Sequence, residues 1–313
     1  MPADIPGLHH VTAIGSDPAR NAEFYTETLG LRLVKRSVNQ DDPSVYHLFY
    51  GDHGGSPGTS MTFFTYPDVS PGRPGTGQAT AVSFLIPASA ADYWIDRLDD
   101  AGVDTDRPRE RFGDTVVPFR DPDGLPLELV ARTDAPAGDP PVGPVPADNA
   151  IRGFHSVTIS LADTERMATL LETMGFDETE TAGDRRRFEG DGDLGYAVDV
   201  RAVPDGPQGR PGAGTVHHVA FRVTREEQSE WRDVLTAHGL RPTAVVDRKW
   251  FESVYARTAG GVRLEYATTE PGYTADETLD TLGDRLVLPE RLEARREEIE
   301  SGLPPLDVSA TDE

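Results

Sequence analysis

Cysteine is absent from all 313 residues, which excludes disulfides, thiolate-held metals and thiol catalysis. Lysine is nearly absent as well. Lys35 and Lys249 are the only two, so arginine carries almost all of the positive charge. Long apolar runs are missing too: no stretch approaches the ~18 residues of a membrane span. Met1–Leu8 lacks the basic-then-apolar character of a signal peptide, and the cytoplasm is the expected compartment. Hydrophobic residues make up 37% and aromatics 8%, low for a globular protein yet above a disordered chain.

Carboxylate is what the chain has in excess. Fifty-four acidic residues face 30 basic ones, a formal charge of −24. Such a surface repels nucleic acid and anionic membranes, so neither is an expected partner. An acidic protein from a GC-rich genome would show part of this pattern. Near-absence of lysine beside abundant aspartate favours an extreme halophile, in which molar salt screens the repulsion. The length suits two domains or one two-lobed body.

Four helical segments end alike. Asp17-Pro18 opens the first with an N-cap and a proline at the first helical position, and Gly30 ends it. The others end at Gly102, Gly175 and Gly239, with Ser89, Asp163 and Thr224 as expected N-caps. A strand precedes each helix: Leu8–Ile14, Ala81–Ile86, Phe154–Leu161 and Val216–Val223. With His10, Ser83, His155 and His218 as equivalent points, the distances to the glycine are 20, 19, 20 and 21 residues. Two or three strand-like runs follow each glycine. Four residues past Gly58, Gly124, Gly195 and Gly261 stand Thr62, Glu128, Asp199 and Glu265. The chain therefore reads as four βαβββ modules of an α+β fold. Modules one and two occupy residues 1–133, a proline- and glycine-rich linker 134–150, modules three and four 151–270, and a helical tail 271–313.

Strand alternation then places the chemistry. Val219, Phe221 and Val223 form an apolar row for the helix side, so His218 points the other way. In the last strand Leu264 and Tyr266 oppose Glu265. Two histidines and one carboxylate on one face of a metal leave positions open for substrate and O2, and these donors suit Fe(II) or Mn(II). The residues alone leave open whether His10 or His155 joins His218 and Glu265.

The chain resembles the vicinal oxygen chelate superfamily of glyoxalases, extradiol dioxygenases and antibiotic-resistance proteins. It is most similar to the ring-cleaving hydroquinone dioxygenase branch. The matching segments are Leu8-His9-His10-Val11-Thr12, Leu33-Val34-Lys35-Arg36, Tyr46-His47-Leu48, Arg152-Gly153-Phe154-His155-Ser156, His217-His218, Asp247-Arg248-Lys249, Phe251-Glu252-Ser253 and Gly260-Gly261-Val262. They span roughly residues 7–285. The resemblance implies two barrel-like curved-sheet lobes, modules one and four joined at the site, and Fe(II) held by His10, His218 and Glu265. It further implies that Thr12, Tyr255, His9 and His217 are pocket or supporting residues. A pocket arginine of the branch has Arg248 as its nearest counterpart, because this chain is shorter between Lys249 and Phe251. Glu128, His155 and Asp199 would face a second, degenerate cleft, His155 in a structural role.

The implied reaction is ring cleavage of a small aromatic diol by O2. The second hydroxyl of a hydroquinone lies para and cannot chelate, so Tyr255 or a pocket histidine would hold it. A metal-dependent glyoxalase-type isomerase or epimerase is the alternative, as is a metal-free protein that sequesters an aromatic ligand. A homo-oligomer is compatible with the sequence.

Overall fold

The computed structural model describes residues 2–306; the last residues of the expected tail, 307–313, lie outside the described part. Module one comprises β1 (Leu8–Gly15), α1 (Pro18–Glu23), β2 (Arg32–Val38), β3 (Tyr46–Gly51) and β4 (Ser60–Thr65). Module two comprises β5 (Gln78–Pro87), α2 (Ala91–Asp100), β6 (Arg109–Arg111), β7 (Asp114–Arg120) and β8 (Pro126–Arg132). Module three follows with β9 (Gly153–Leu161), α3 (Glu165–Thr173), β10 (Asp177–Ala182), β11 (Arg185–Glu189) and β12 (Ala197–Ala202). Module four has β13 (Thr215–Val223), α4 (Gln228–Ala237), β14 (Val246–Asp247), β15 (Glu252–Arg257) and β16 (Arg263–Thr268).

Local signals explain these boundaries. The Asp17 carboxylate accepts from the amides of Ala19 and Arg20, capping α1. Asp163 accepts from Glu165 N and Thr224 Oγ1 from Glu227 N, so both serve the starts of α3 and α4. Ser89 does not cap α2; it lies inside a 3-10 turn at Ala88–Ala90 that precedes the helix. Gly30 ends the first helical segment at φ +69, where a Cβ would also strike Val145 of the linker.

Two eight-stranded sheets result, in the orders β14-β15-β16-β13-β1-β4-β3-β2 and β10-β11-β12-β9-β5-β8-β7-β6. In every module the last strand runs parallel to the first, and the two first strands of a sheet meet antiparallel at its centre. Module one thus shares a sheet with module four, and module two with module three. The grouping by chain order describes covalent sequence, whereas the hydrogen-bonded sheets cross it. Among the described residues of the tail, only Glu290–Glu293 (α5) and Arg296–Gly302 (α6) are α-helical. The stretch before them runs against β2: Val287 N donates to Arg36 O, and Ser37 Oγ donates to Val287 O. It covers what would otherwise be an open sheet edge.

Apolar rows face the helices as strand alternation requires. Trp231 of α4 stacks on Tyr266 at 5.8 Å, and Phe221 meets Phe176 and Tyr266. The opposite face of the first sheet curves around a cavity of about 530 Å³.

Both central strand pairs are bulged, and the bulges decide which residues correspond. Leu8 pairs with Phe221 and His10 with Ala220, which leaves His9 as the extra residue. Thr12 pairs with His218 and Ala13 with Val216, which leaves His217 as the extra residue of β13. In the second sheet the extra residues are Thr80 and His155. Parallel pairing aligns Thr12 with Thr62, Ser83 with Glu128, Thr158 with Asp199 and Ala220 with Glu265. The counterparts of His10 and His218 are therefore Ala81 and Ser156. This corrects the sequence-based equivalence of Ser83 and His155 with His10 and His218, because helix and turn lengths differ between modules. His155 corresponds instead to His217.

Candidate metal centre

Three neighbouring strands, β1, β13 and β16, bring His10, His218 and Glu265 together at the floor of the cavity. All three side chains are buried. His10 Nε2 lies 3.3 Å from His218 Nε2 and 3.3 Å from Glu265 Oε2, and His218 Nε2 lies 2.8 Å from the same oxygen. Donors at about 2.1 Å from a metal and at right angles to one another stand about 3.0 Å apart, so this triangle fits one octahedral face. Glu265 Oε2 is buried yet makes no hydrogen bond of acceptable angle, despite the short distances. The three donor atoms lie within 4.8 Å of one another, close enough to share one ion. Among the described residues they form the one group of three close metal donors.

The surroundings fix the protonation state and orientation. Burial alone would raise the Glu265 carboxyl, but the His10 and His218 rings beside it hold it well below its ordinary range. Burial pushes His218 below the usual imidazole value. The donor set is an anion with a largely neutral imidazole, as cation binding requires. Ser253 Oγ donates to Glu265 Oε1 at 2.5 Å and leaves Oε2 to the site. The two bulged histidines act alike. His9 Nδ1 lies 2.9 Å from His10 Nδ1, and His217 Nδ1 lies 2.7 Å from His218 Nδ1. Each engages its neighbour's rear nitrogen, so Nε2 of both neighbours turns to the cavity. Burial, and then His10, push His9 down to about 3; burial, and then His218, push His217 to about 2.

The other sequence-derived residues are placed as follows. Tyr255 stands directly opposite Glu265 across β15 and β16, with its ring 5.9 Å from that of His218. Burial first, and then the Glu265 charge, raise its phenol well above the ordinary value. Arg248 Nε donates to Tyr255 Oη at 3.0 Å, and its guanidinium also meets Asp41 at 3.3 Å. His217 lines the cavity, whereas His9 packs behind it against Phe251. Thr12 does not line the cavity: its hydroxyl bonds that of Thr62 at 2.7 Å, and Thr62 in turn lies 3.0 Å from His47 Nε2. A hydroxyl, Thr62, stands in module one where module four carries Glu265.

Several lining residues escaped the sequence reading. His47 and Phe49 both face the cavity, ring to ring at 3.9 Å, with Phe64 and Trp250 nearby. Phe251 covers His10 at 5.0 Å. Alternation along Tyr46-His47-Leu48-Phe49 carries the signal for His47, and alternation from Tyr255 back to Ser253 carries that for the serine. The Phe251 position depends on the loop from Asp247, in which Lys249 adopts φ +79 and Asp247 Oδ1 accepts its amide.

His155 lies in the other sheet, buried and pushed down to about 3 by burial and then Arg187. Around it Arg111, Arg185 and Arg187 are matched by Glu128, Asp199 and Asp114. The cleft expected there holds ion pairs.

Residues 7–129 match the model of the Glyoxalase/Bleomycin resistance protein/Dioxygenase superfamily. A ring-cleaving dioxygenase candidate of Bacillus subtilis, MhqO, is 42% identical over 308 residues, 98% of each chain. The chlorohydroquinone/hydroquinone 1,2-dioxygenase of Sphingobium indicum is 33% identical over 311 residues, 96% of each chain. The crystal structure of a dioxygenase candidate from Bacillus subtilis superposes with a TM-score of 0.94 at 40% identity, covering 98% of this chain and 99% of that one. Glyoxalase I from Zea mays shares the fold alone, with a TM-score of 0.63 at 15% identity over 84% of this chain and 92% of the other. No helix among the described residues is long and apolar enough to cross a membrane. Identity at these levels along nearly the whole length, together with the paired βαβββ modules, means that the chain belongs to the glyoxalase/bleomycin resistance protein/dioxygenase superfamily, in its ring-cleaving dioxygenase branch.

Proposed function

We propose that the protein is an Fe(II)-dependent dioxygenase that opens the ring of hydroquinone-type diols, with His10, His218 and Glu265 as the iron ligands. The observation that carries this reading is the convergence of three buried donor atoms, one of them a carboxylate oxygen with no other partner. A ferrous ion there would supply the Lewis acidity and the electron exchange that let O2 react with an aromatic ring.

The residues of the chain do the rest. Phe49, Phe64, Trp250 and Phe251 wall the cavity with flat apolar surface suited to a single ring. The Tyr255 oxygen accepts from Arg248, so its own proton remains free to be donated to a substrate oxygen. Its raised pKa keeps that proton in place at neutral pH. His47, held neutral by burial, offers a further hydrogen-bond position for the para hydroxyl, whereas His217 is already engaged by His218 at Nδ1 and by Arg263 at Nε2.

The test is anaerobic Fe(II) reconstitution followed by oxygen-electrode, product-absorbance and iron measurements on the same preparations. Wild type should consume O2 with hydroquinone and yield a ring-opened, semialdehyde-type product. His10→Ala should lose tight iron binding and turnover, while His155→Ala should retain both. Metal lost from His155→Ala but kept by His10→Ala would refute the ligand set. Full iron occupancy without O2 uptake from any diol would favour the isomerase alternative, and wild type that takes up no metal would favour the aromatic-binding one.

A further inference from the structure

Beyond the metal, the cavity mouth carries a row of like charges that ring cleavage by itself does not require. Arg263 sits two residues before Glu265 on β16, and Arg257 stands directly opposite it on β15. Thr243 N donates to Tyr255 O, and Tyr255 N donates to Thr243 Oγ1, so Thr243 lies beside Tyr255. Arg241 precedes Thr243 by two residues. All three arginines line the cavity. Among the described residues none has a carboxylate within ion-pairing distance. The rim's other carboxylate, Asp41, is engaged by Arg248.

Like charges set directly opposite across a sheet are destabilising, and the repeat shows that the fold does not demand them. The corresponding pairs in modules two and three are Arg120–Pro126 and Glu189–Ala197. Where arginines cluster in the second lobe, at Arg111, Arg185 and Arg187, carboxylates match them. In a chain of −24 formal charge, an unmatched row beside the candidate centre is a local reversal of sign.

We propose that Arg241, Arg257 and Arg263 bind an anionic substituent on the aromatic substrate, so that the preferred diol carries a carboxylate or comparable anion on a short arm. The distance supports this. One same-face step along a strand is about 7 Å, which separates the arginine row from the Tyr255–Glu265 pair by about the span of a substituted benzene ring. Guanidinium forks suit a carboxylate in both charge and geometry. This inference rests on the ring-cleavage reading for its substrate class, and binding tests it separately from turnover.

The probes are 2,5-dihydroxyphenylacetate and its methyl ester, which differ only in charge at the arm. Calorimetry on the Fe(II)-loaded protein under argon should show the acid binding about ten-fold or more tightly than the ester at low salt. Raising KCl should narrow that ratio in wild type, because the attraction is partly screened. The double variant Arg241→Gln/Arg257→Gln should bring the ratio close to one, with unchanged iron content and melting temperature. Should the variant not fold, the salt dependence of the wild-type ratio decides. Equal binding of acid and ester would overturn the arginine proposal and leave ring cleavage standing. Preferential binding of the acid with no O2 uptake from any diol would support the arginine site and overturn ring cleavage.

Discussion

Ser253 is the smallest change that tests the centre without removing a donor. Its hydroxyl donates to Glu265 Oε1 at 2.5 Å, both groups fully buried. A hydrogen bond to a charged acceptor contributes about 1.5–3 kcal/mol, and the bond here also fixes which carboxylate oxygen turns to the cavity. Ser253→Ala leaves Oε1 unpaired and the carboxylate free to rotate. The expected loss in Fe(II) affinity is therefore about 10- to 100-fold, the range found when groups that hold metal ligands are removed. Anaerobic competition with a chromophoric Fe(II) chelator would measure it, with Ser253→Thr as the variant that keeps a hydroxyl. A dissociation constant for Ser253→Ala within about two-fold of wild type, with the fold intact, would refute the account of how Glu265 is oriented.

Two further outcomes concern the scaffold. Burial would raise the Glu128 carboxyl, but Arg111 and then Ser83 hold it down to about 2 from the ordinary 4.5, a difference of about 3 kcal/mol. A folded-state pKa below the unfolded one gives stability that is fully present above pH 4.5 and lost as the pH falls toward 2. Glu128→Gln should therefore unfold at lower urea than wild type at pH 7, with the gap closing in acid; a pH-independent gap would contradict the ion-pair account. For the halophile reading, the melting temperature should climb from dilute buffer to molar KCl as salt screens the −24 charge. A flat or falling curve would reduce that reading to mere acidity.

The modules were legible in the sequence because their signals are local. Helix-ending glycines, N-caps and strand alternation each act within a few residues, and the strands expected at residues 8–14, 81–86, 154–161 and 216–223 lie inside the observed ones. Sheet pairing is not local. Nothing in the linker or module order states that β1 lies against β13 rather than β5 against β13, and resemblance was needed to join modules one and four. Bulges are a property of two strands together, so His9 and His217 were ambiguous until their partners were known. The same cause misplaced Ser83 and His155: counting back from a glycine adds the length of the helix to the strand, and the first helix continues into a wider turn at Phe24–Thr28. His47 and Ser253 lay within reach of the alternation rule, but each needed a known inward face to be singled out.

A fourfold repeat could in principle build two candidate centres, and the second lobe shows why only the first offers the donors for one. The counterparts of His10 and His218 there are Ala81 and Ser156, neither an imidazole. The carboxylates survive as Glu128 and Asp199, and a pair of buried anions needs a counter-charge. Arg187 stands opposite Asp199 as Tyr255 stands opposite Glu265, and its Nε and Nη2 reach the Asp199 oxygens at 2.8 and 3.2 Å. Arg111 bridges the lobe by bonding Glu128 and lying 3.7 Å from Asp199. Guanidinium groups of the chain thus provide internally the positive charge that the first lobe would take from a metal ion. Tyr255 and Arg187 occupy one place in the repeat, and the exchange of a neutral phenol for a fixed cation separates a lobe able to hold a metal from one already neutralised.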